Sequence, residues 1–211
     1  MTNSSRRTND SKRGVAALAC AALFFQGGAT PSASPASNHV RAVDAARSWI
    51  KVHVGKVGLF SFAADEHEVD VPIASGSFDE ETGAVELTID AAQMRVEDPP
   101  SRRDKVEANM LGPEVLDAAK YPTIAFRSTG AKVVPEHSLG DAPRRLTIVG
   151  DLTLHGQTHP VSVVAQSVAL THFTGSAVLN QTAFGIAPIK VAGGAVRVKD
   201  QVGVTFEIEL R

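Results

Sequence analysis

From Arg47 to the end of the chain, apolar and polar residues alternate in short runs broken by Gly, Pro and acidic turns, the period of half-buried β-strands. The clearest stretch is Leu146–Ala165, LTIVGDLTLHGQTHPVSVVA. Leu146, Ile148, Leu152 and Leu154 share one face of its first run; Val161, Val163 and Ala165 share one face of its second. The polar break from His155 to Pro160 contains Gly156 for an unusual backbone angle, and a Pro that suits a strand's first residue. The pattern predicts a β-hairpin.

The same alternation recurs in Arg47–Val54 (Ile50, Val52 and Val54 on one side), in Val69–Phe78, in Ala84–Ala92 (Val85, Leu87, Ile89) and after Pro122 (Ile124, Phe126). Asp79–Gly83 reads as an exposed turn that makes residues 69–92 a second hairpin. Thr171–Gln181 follows the central hairpin, with Gly175 at an expected bend or bulge. Val202, Val204, Phe206, Ile208 and Leu210 form the most regular run.

The period changes once. After Asp98-Pro99-Pro100, the run Ser101-Arg102-Arg103-Asp104 resembles a capping box with Ser101 as N-cap. Val106 and Met110 lie four apart on one helix face, and Pro113 starts a second short helical turn. Eight or nine strands joined by short turns, with one helical insert, predict a closed antiparallel barrel or a sandwich. An eight-stranded barrel is just wide enough to fill with side chains or to hold one small ligand. Parallel α/β architecture is disfavoured, because helices do not separate the strands.

The front of the chain is different. Arg6, Arg7, Lys12 and Arg13 precede the uncharged run Val15–Phe25, which is too short to span a bilayer as a helix but suits a signal peptide. Gly27 and Ala29 supply small residues for cleavage after Ala29. Residues 1–29 are expected to be a signal peptide, residues 30–43 a Pro/Ser-rich linker and residues 44–211 the barrel, in a periplasmic or secreted protein. Ser5-Arg6-Arg7 partly matches a twin-arginine signal, but Asn9 and Asp10 follow where apolar residues are wanted. A lipoprotein site at Cys20 is the alternative, although the apolar run continues past that residue.

Composition narrows the function. Of 211 residues, 43% are hydrophobic, enough for a core. Losing residues 1–29 moves the formal charge from −2 to −5, which argues against nucleic acid as a partner. Cys20 is the single cysteine, so the processed chain has no disulfide, thiolate metal site or cysteine nucleophile. No GxSxG and no Gly-rich phosphate loop is present. His53, Glu66-His67-Glu68, His155 and His159 lack any metal-site spacing, and His155 reads as a turn residue hydrogen-bonded to backbone. No catalytic residue, metal or cofactor is expected.

Several segments in order resemble the YceI-like family, lipocalin-like polyisoprenoid-binding proteins. They are Gly76-Ser77-Phe78, Val85–Ala92, Arg102-Arg103-Asp104, Lys120–Ser128, Gly150–Thr158 and Phe184-Gly185-Ile186. The resemblance spans roughly residues 47–211. One departure is Asn180-Gln181-Thr182-Ala183, where the family usually has an Arg before Phe-Gly. The resemblance implies an all-β, antiparallel, eight-stranded lipocalin-like barrel whose apolar tunnel takes an isoprenoid or other long-chain amphiphile.

Period two gives a face but not its depth, so on pattern alone the apolar residues could pack on one another. With the tunnel implied by the resemblance, the expected ligand-binding wall is Phe60, Phe62, Ile89, Met94, Phe126, Ile148, Leu152 and Phe206, with Met110 from the helical insert. Val106, Met110, Val115 and Leu116 are expected to turn inward as a lid or a plug, and Arg103 to pair with Asp104 or meet a ligand head group. The expected partner is a lipid-like small molecule; peripheral membrane contact and a homodimer stay open. The rival readings are an exported structural or stress protein with a solid barrel acting through protein partners, and a metal-dependent hydrolase.

Overall fold

Alternation of side-chain faces becomes a continuous antiparallel ladder in the computed structural model, which describes residues 39–58, 67–133, 144–191 and 196–211. The strands are β1 (Val40–Ala42), β2 (Trp49–Val54), β3 (Lys56–Gly58), β4 (His67–Asp70), β5 (Ile73–Asp79), β6 (Val85–Asp90) and β7 (Arg95–Val96). They continue with β8 (Thr123–Val133), β9 (Arg144–Leu154), β10 (Gln157–Ser167), β11 (His172–Asn180), β12 (Lys190–Val191), β13 (Val196–Val198) and β14 (Gln201–Glu209). One α-helix, α1 (Pro100–Leu111), lies between β7 and β8.

Ladder order in the main sheet is β1-β5-β6-β8-β9-β10-β11-β14-β2-β4-β7. The two ends of this order meet. Val43, just past β1, bridges Leu210, just past β14, and β4 runs into β5 across Val71 and Pro72 alone. β1 and β2 are thus two halves of one barrel wall, and β4 and β5 of the next. Counted so, the fourteen strands among the described residues give eight wall positions plus β7 on an edge and a separate small sheet, β12-β13-β3. The all-β barrel with one helical insert stands.

The breaks within β1/β2 and β4/β5 escaped the alternation for a local reason. Pro72 has no N–H to give the ladder, and residues 44–47 turn back on themselves, with Arg47 N–H donating to the Asp44 carbonyl. The pairing on either side of the break, Val40 with Asp79 and Lys51 with Asp70, is offset by two residues. β1 itself lies in the stretch read from sequence as linker.

The central hairpin is tighter than the sequence suggested. β9 and β10 pair from Leu154–Gln157 to Arg144–Ser167 around a two-residue turn, with His155 at φ 51° and Gly156 at φ 72°. Two positive angles are the requirement of a primed hairpin turn. The break is therefore two residues, not six, and Pro160 sits inside β10 opposite Asp151. Gly175 is not at a bulge: β11 keeps unbroken register with both neighbours.

The capping box is absent. Pro99 is the N-cap of α1, Pro100 opens the helix, and no side chain caps it. A Pro in the first turn has no N–H to orphan, which explains the displacement. The residues after Pro113 form turns rather than a second helix. These turns, α1, the β9–β10 turn and the β11–β14 connection gather at one end of the barrel; the 79–85 turn, the β10–β11 loop and the Val43–Leu210 bridge mark the other.

Candidate ligand cavity

Strand parity turns Ile50, Leu87, Phe126, Ile148, Val163 and Phe206 toward the barrel axis, where they enclose a cavity of about 300 Å³. Its lining comes from all eight wall positions and runs from Phe78 and Phe173 at one end to Leu116 and Ile186 at the other. Burial is uneven along this axis. Val69, Met94, Val96, Leu116, Phe184 and Ile186 are fully buried near α1, whereas Phe126, Leu152, Val204 and Phe206 are only half-buried although they point inward. The surface they leave uncovered is that of the lumen.

Two glycines make this room. A Cβ on Gly150 would lie 2.5 Å from Phe126 Cζ and 2.6 Å from the Arg127 carbonyl oxygen. One on Gly175 would lie 2.3 Å from Phe206 Cζ and 2.4 Å from the Val164 carbonyl oxygen. Each aromatic ring therefore rests against bare backbone in the wall.

Of the residues predicted to form the wall, Ile89, Met94, Met110, Phe126, Ile148, Leu152 and Phe206 all line the cavity. Phe60 and Phe62 lie outside the described residues. Met110, Val115 and Leu116 of the insert reach the lining, while Val106 packs on the core beside it. Sequence reasoning missed Phe78 and Phe173, whose rings stand 5.9 Å apart, and Gln181. The parity of Thr171–Gln181 could have found Phe173; Gln181 lies one step past its strand, where parity is not normally extended.

α1 has no fully buried residue, and a buried carboxylate ties its start to the barrel. Asp98 is 4% exposed. Its Oδ1 lies 2.8 Å from His67 Nδ1 on β4, and its Oδ2 faces Arg102 Nε at 3.2 Å in an ion pair without hydrogen-bond alignment. Arg103 Nε donates to the Asp98 carbonyl, so Arg103 is structural, with Asp98 rather than Asp104 as its partner. His155 Nδ1 donates to the Phe184 carbonyl at 3.1 Å, the backbone contact expected of a turn histidine.

On the outer face Lys51 lies between Glu68 and Glu97. Donating hydrogen bonds to these two carboxylates pushes the Lys51 ammonium pKa up to about 12, and the bond from Lys51 holds Glu68 below the usual carboxylate range. Among the described residues no group of three His, Cys, Asp or Glu is placed to hold a metal; Glu66 lies outside them. Among the described residues no charged side chain lines the cavity. What the arrangement can do chemically is bury an apolar chain.

A family model described as the YceI-like domain matches residues 42–210. The chain belongs to the YceI-like family. Among solved structures, this YceI-like chain is similar to Burkholderia cenocepacia BcnA, at 19% identity and TM-score 0.54, covering 79% of this chain and 98% of that one. It is also similar to a polyisoprenoid binding domain from Saccharophagus degradans implicated in plant cell wall breakdown, at 13% identity and TM-score 0.55, covering 82% and 99%. At such identities the likeness is one of fold. No curated protein matches the YceI-like chain in sequence.

Proposed function

We propose that the protein is an exported carrier that holds one long apolar molecule, an isoprenoid or similar amphiphile, inside the barrel by burial and without any covalent step. The observation that carries this reading is the apolar lumen of about 300 Å³, at the lower edge of ordinary ligand pockets. The polyisoprenoid-binding fold relative supports the ligand class. The signal-like residues 1–29 support export to the periplasm or beyond.

The energetics suffice. Each buried CH₂ contributes about 0.8 kcal/mol, so fifteen to twenty buried carbons give roughly 12–16 kcal/mol gross. Subtracting an association cost of several kcal/mol leaves binding near the micromolar range. Native mass spectrometry of the exported protein after mild extraction tests this. A co-purified mass of a lipid, on a chain processed after Ala29, is the expected result. A clean apoprotein that also takes up no added quinone overturns it in favour of a solid barrel acting through protein partners.

A further inference from the structure

Ser77 and Gln181 are the two polar residues among the described residues of the cavity lining. Parity separates them. β5 turns Gly76 and Phe78 inward, opposite the inward Leu87 and Val85, and so sends the Ser77 side chain outward. Gln181 instead continues the inward series Phe173, Gly175, Ala177, Leu179 of β11, one position past the strand. Of the two it is the side chain that strand parity directs at the lumen; Ser128 on β8 and His159 on β10 share the inward parity but are not on the cavity lining.

Its position is fixed from both sides. The Gln181 backbone N–H donates to the Asp200 carbonyl, and its Nε2 donates to the Lys199 carbonyl at 2.7 Å. Those bonds leave one amide N–H and the Oε1 acceptor without a partner among the described residues. Asp200 accepts from Thr182 N–H and Thr182 Oγ1, both at 2.8 Å, and the Lys199 side chain lies against Gly55; neither residue lines the cavity.

The geometry points to Gln181 as the residue that selects the head group of the bound chain: an uncharged, hydrogen-bonding head such as an alcohol, ketone or amide. This inference rests on the carrier reading. A half-used amide offers such a head one donor and one acceptor. A carboxylate or phosphate in the same place would leave water and find no cation among the described lining residues, which is the costly way to bury a charge.

The test uses four probes of equal chain length, hexadecane, hexadecan-1-ol, hexadecanamide and hexadecanoate. Each displaces a fluorescent lumen probe at pH 8, where the acid is ionised. In the native protein the amide is expected to bind about tenfold or more tighter than the carboxylate. Gln181→Leu is expected to weaken the amide and alcohol about 3- to 10-fold relative to hexadecane, the span of one ordinary hydrogen bond. Gln181→Arg is expected to reverse the preference toward the carboxylate. Equal binding of amide and carboxylate by the native protein overturns the inference, as does Gln181→Leu that still takes hexadecane with its head-group preference intact. If hexadecane does not enter the native protein, the carrier reading itself falls, which is a different result.

Discussion

Phe126 and Phe206 occupy space that Gly150 and Gly175 leave free, so the lumen depends on what these two positions lack. Gly175→Ala would press a methyl against both the Phe206 ring and the Val164 carbonyl. The ring can swing away but the carbonyl cannot, and we expect a loss of about 1–3 kcal/mol in urea unfolding. Ile148 faces the same lumen from β9. Ile148→Glu is expected to abolish uptake of an apolar probe while far-ultraviolet circular dichroism stays that of a β protein; unchanged uptake would remove Ile148 from the binding wall. Period two reveals Ile148 and Phe126 because each sits mid-strand. It is blind to Gln181, which keeps the strand's direction after the alternating run has ended, and to depth, since a face that packs solid and a face that lines a void read alike.

Among the elements, the central hairpin was legible because its alternation, its glycine and its two-residue turn all specify one register. The insert was legible as helix but not in its anchoring. Asp98 looks like an ordinary residue before two prolines, and its burial arises because β4, distant in sequence, brings His67 to it. With no fully buried residue of its own, α1 is held by that tie together with the bond from Val96 N–H to Glu107 and the partly buried Val106, Met110 and Leu111. Asp98→Ala leaves His67 and Arg102 without their shared carboxylate, and because Arg102 is half-exposed and can be solvated we expect a loss of about 1–3 kcal/mol. Faster amide exchange across residues 100–111 than in β9 is the accompanying sign of a helix released first.

The outer cluster that joins β2 to β4 carries a pH dependence of opposite sense at its two ends. Glu68 is held below its ordinary value of 4.5, so its contribution is full above that pH and fades as pH falls through the lower folded value. Lys51 is raised from 10.5 to about 12, so its share is full below 10.5 and fades as pH climbs through 12. Both groups are partly solvated, which keeps the term below about 1 kcal/mol. The difference in urea midpoint between the native protein and Glu68→Gln should therefore be present at pH 7 and shrink as pH falls below 4.5.

At the scale of the whole molecule, the barrel is a meander closed by one seam, where Val43 meets Leu210. Leu210 is 6% exposed there, whereas Leu170, on the loop between β10 and β11, is 95% exposed. Leu210→Ala should cost about 2–4 kcal/mol in urea unfolding. Leu170→Ala, the control for losing the same atoms elsewhere, should stay within about 0.5 kcal/mol. The seam also sets a clock on biosynthesis. Its two residues lie about 170 positions apart, and at roughly 5–20 residues per second about 10–30 s separate their appearance from the ribosome. Through that interval β1 and β2 have no final strand to pair with, and the apolar lumen is an open trough. The nascent chain is thus most exposed to aggregation in its first-made half, and a chaperone that covers Ile50, Val52 and Val54 until β14 arrives would act where the need is greatest.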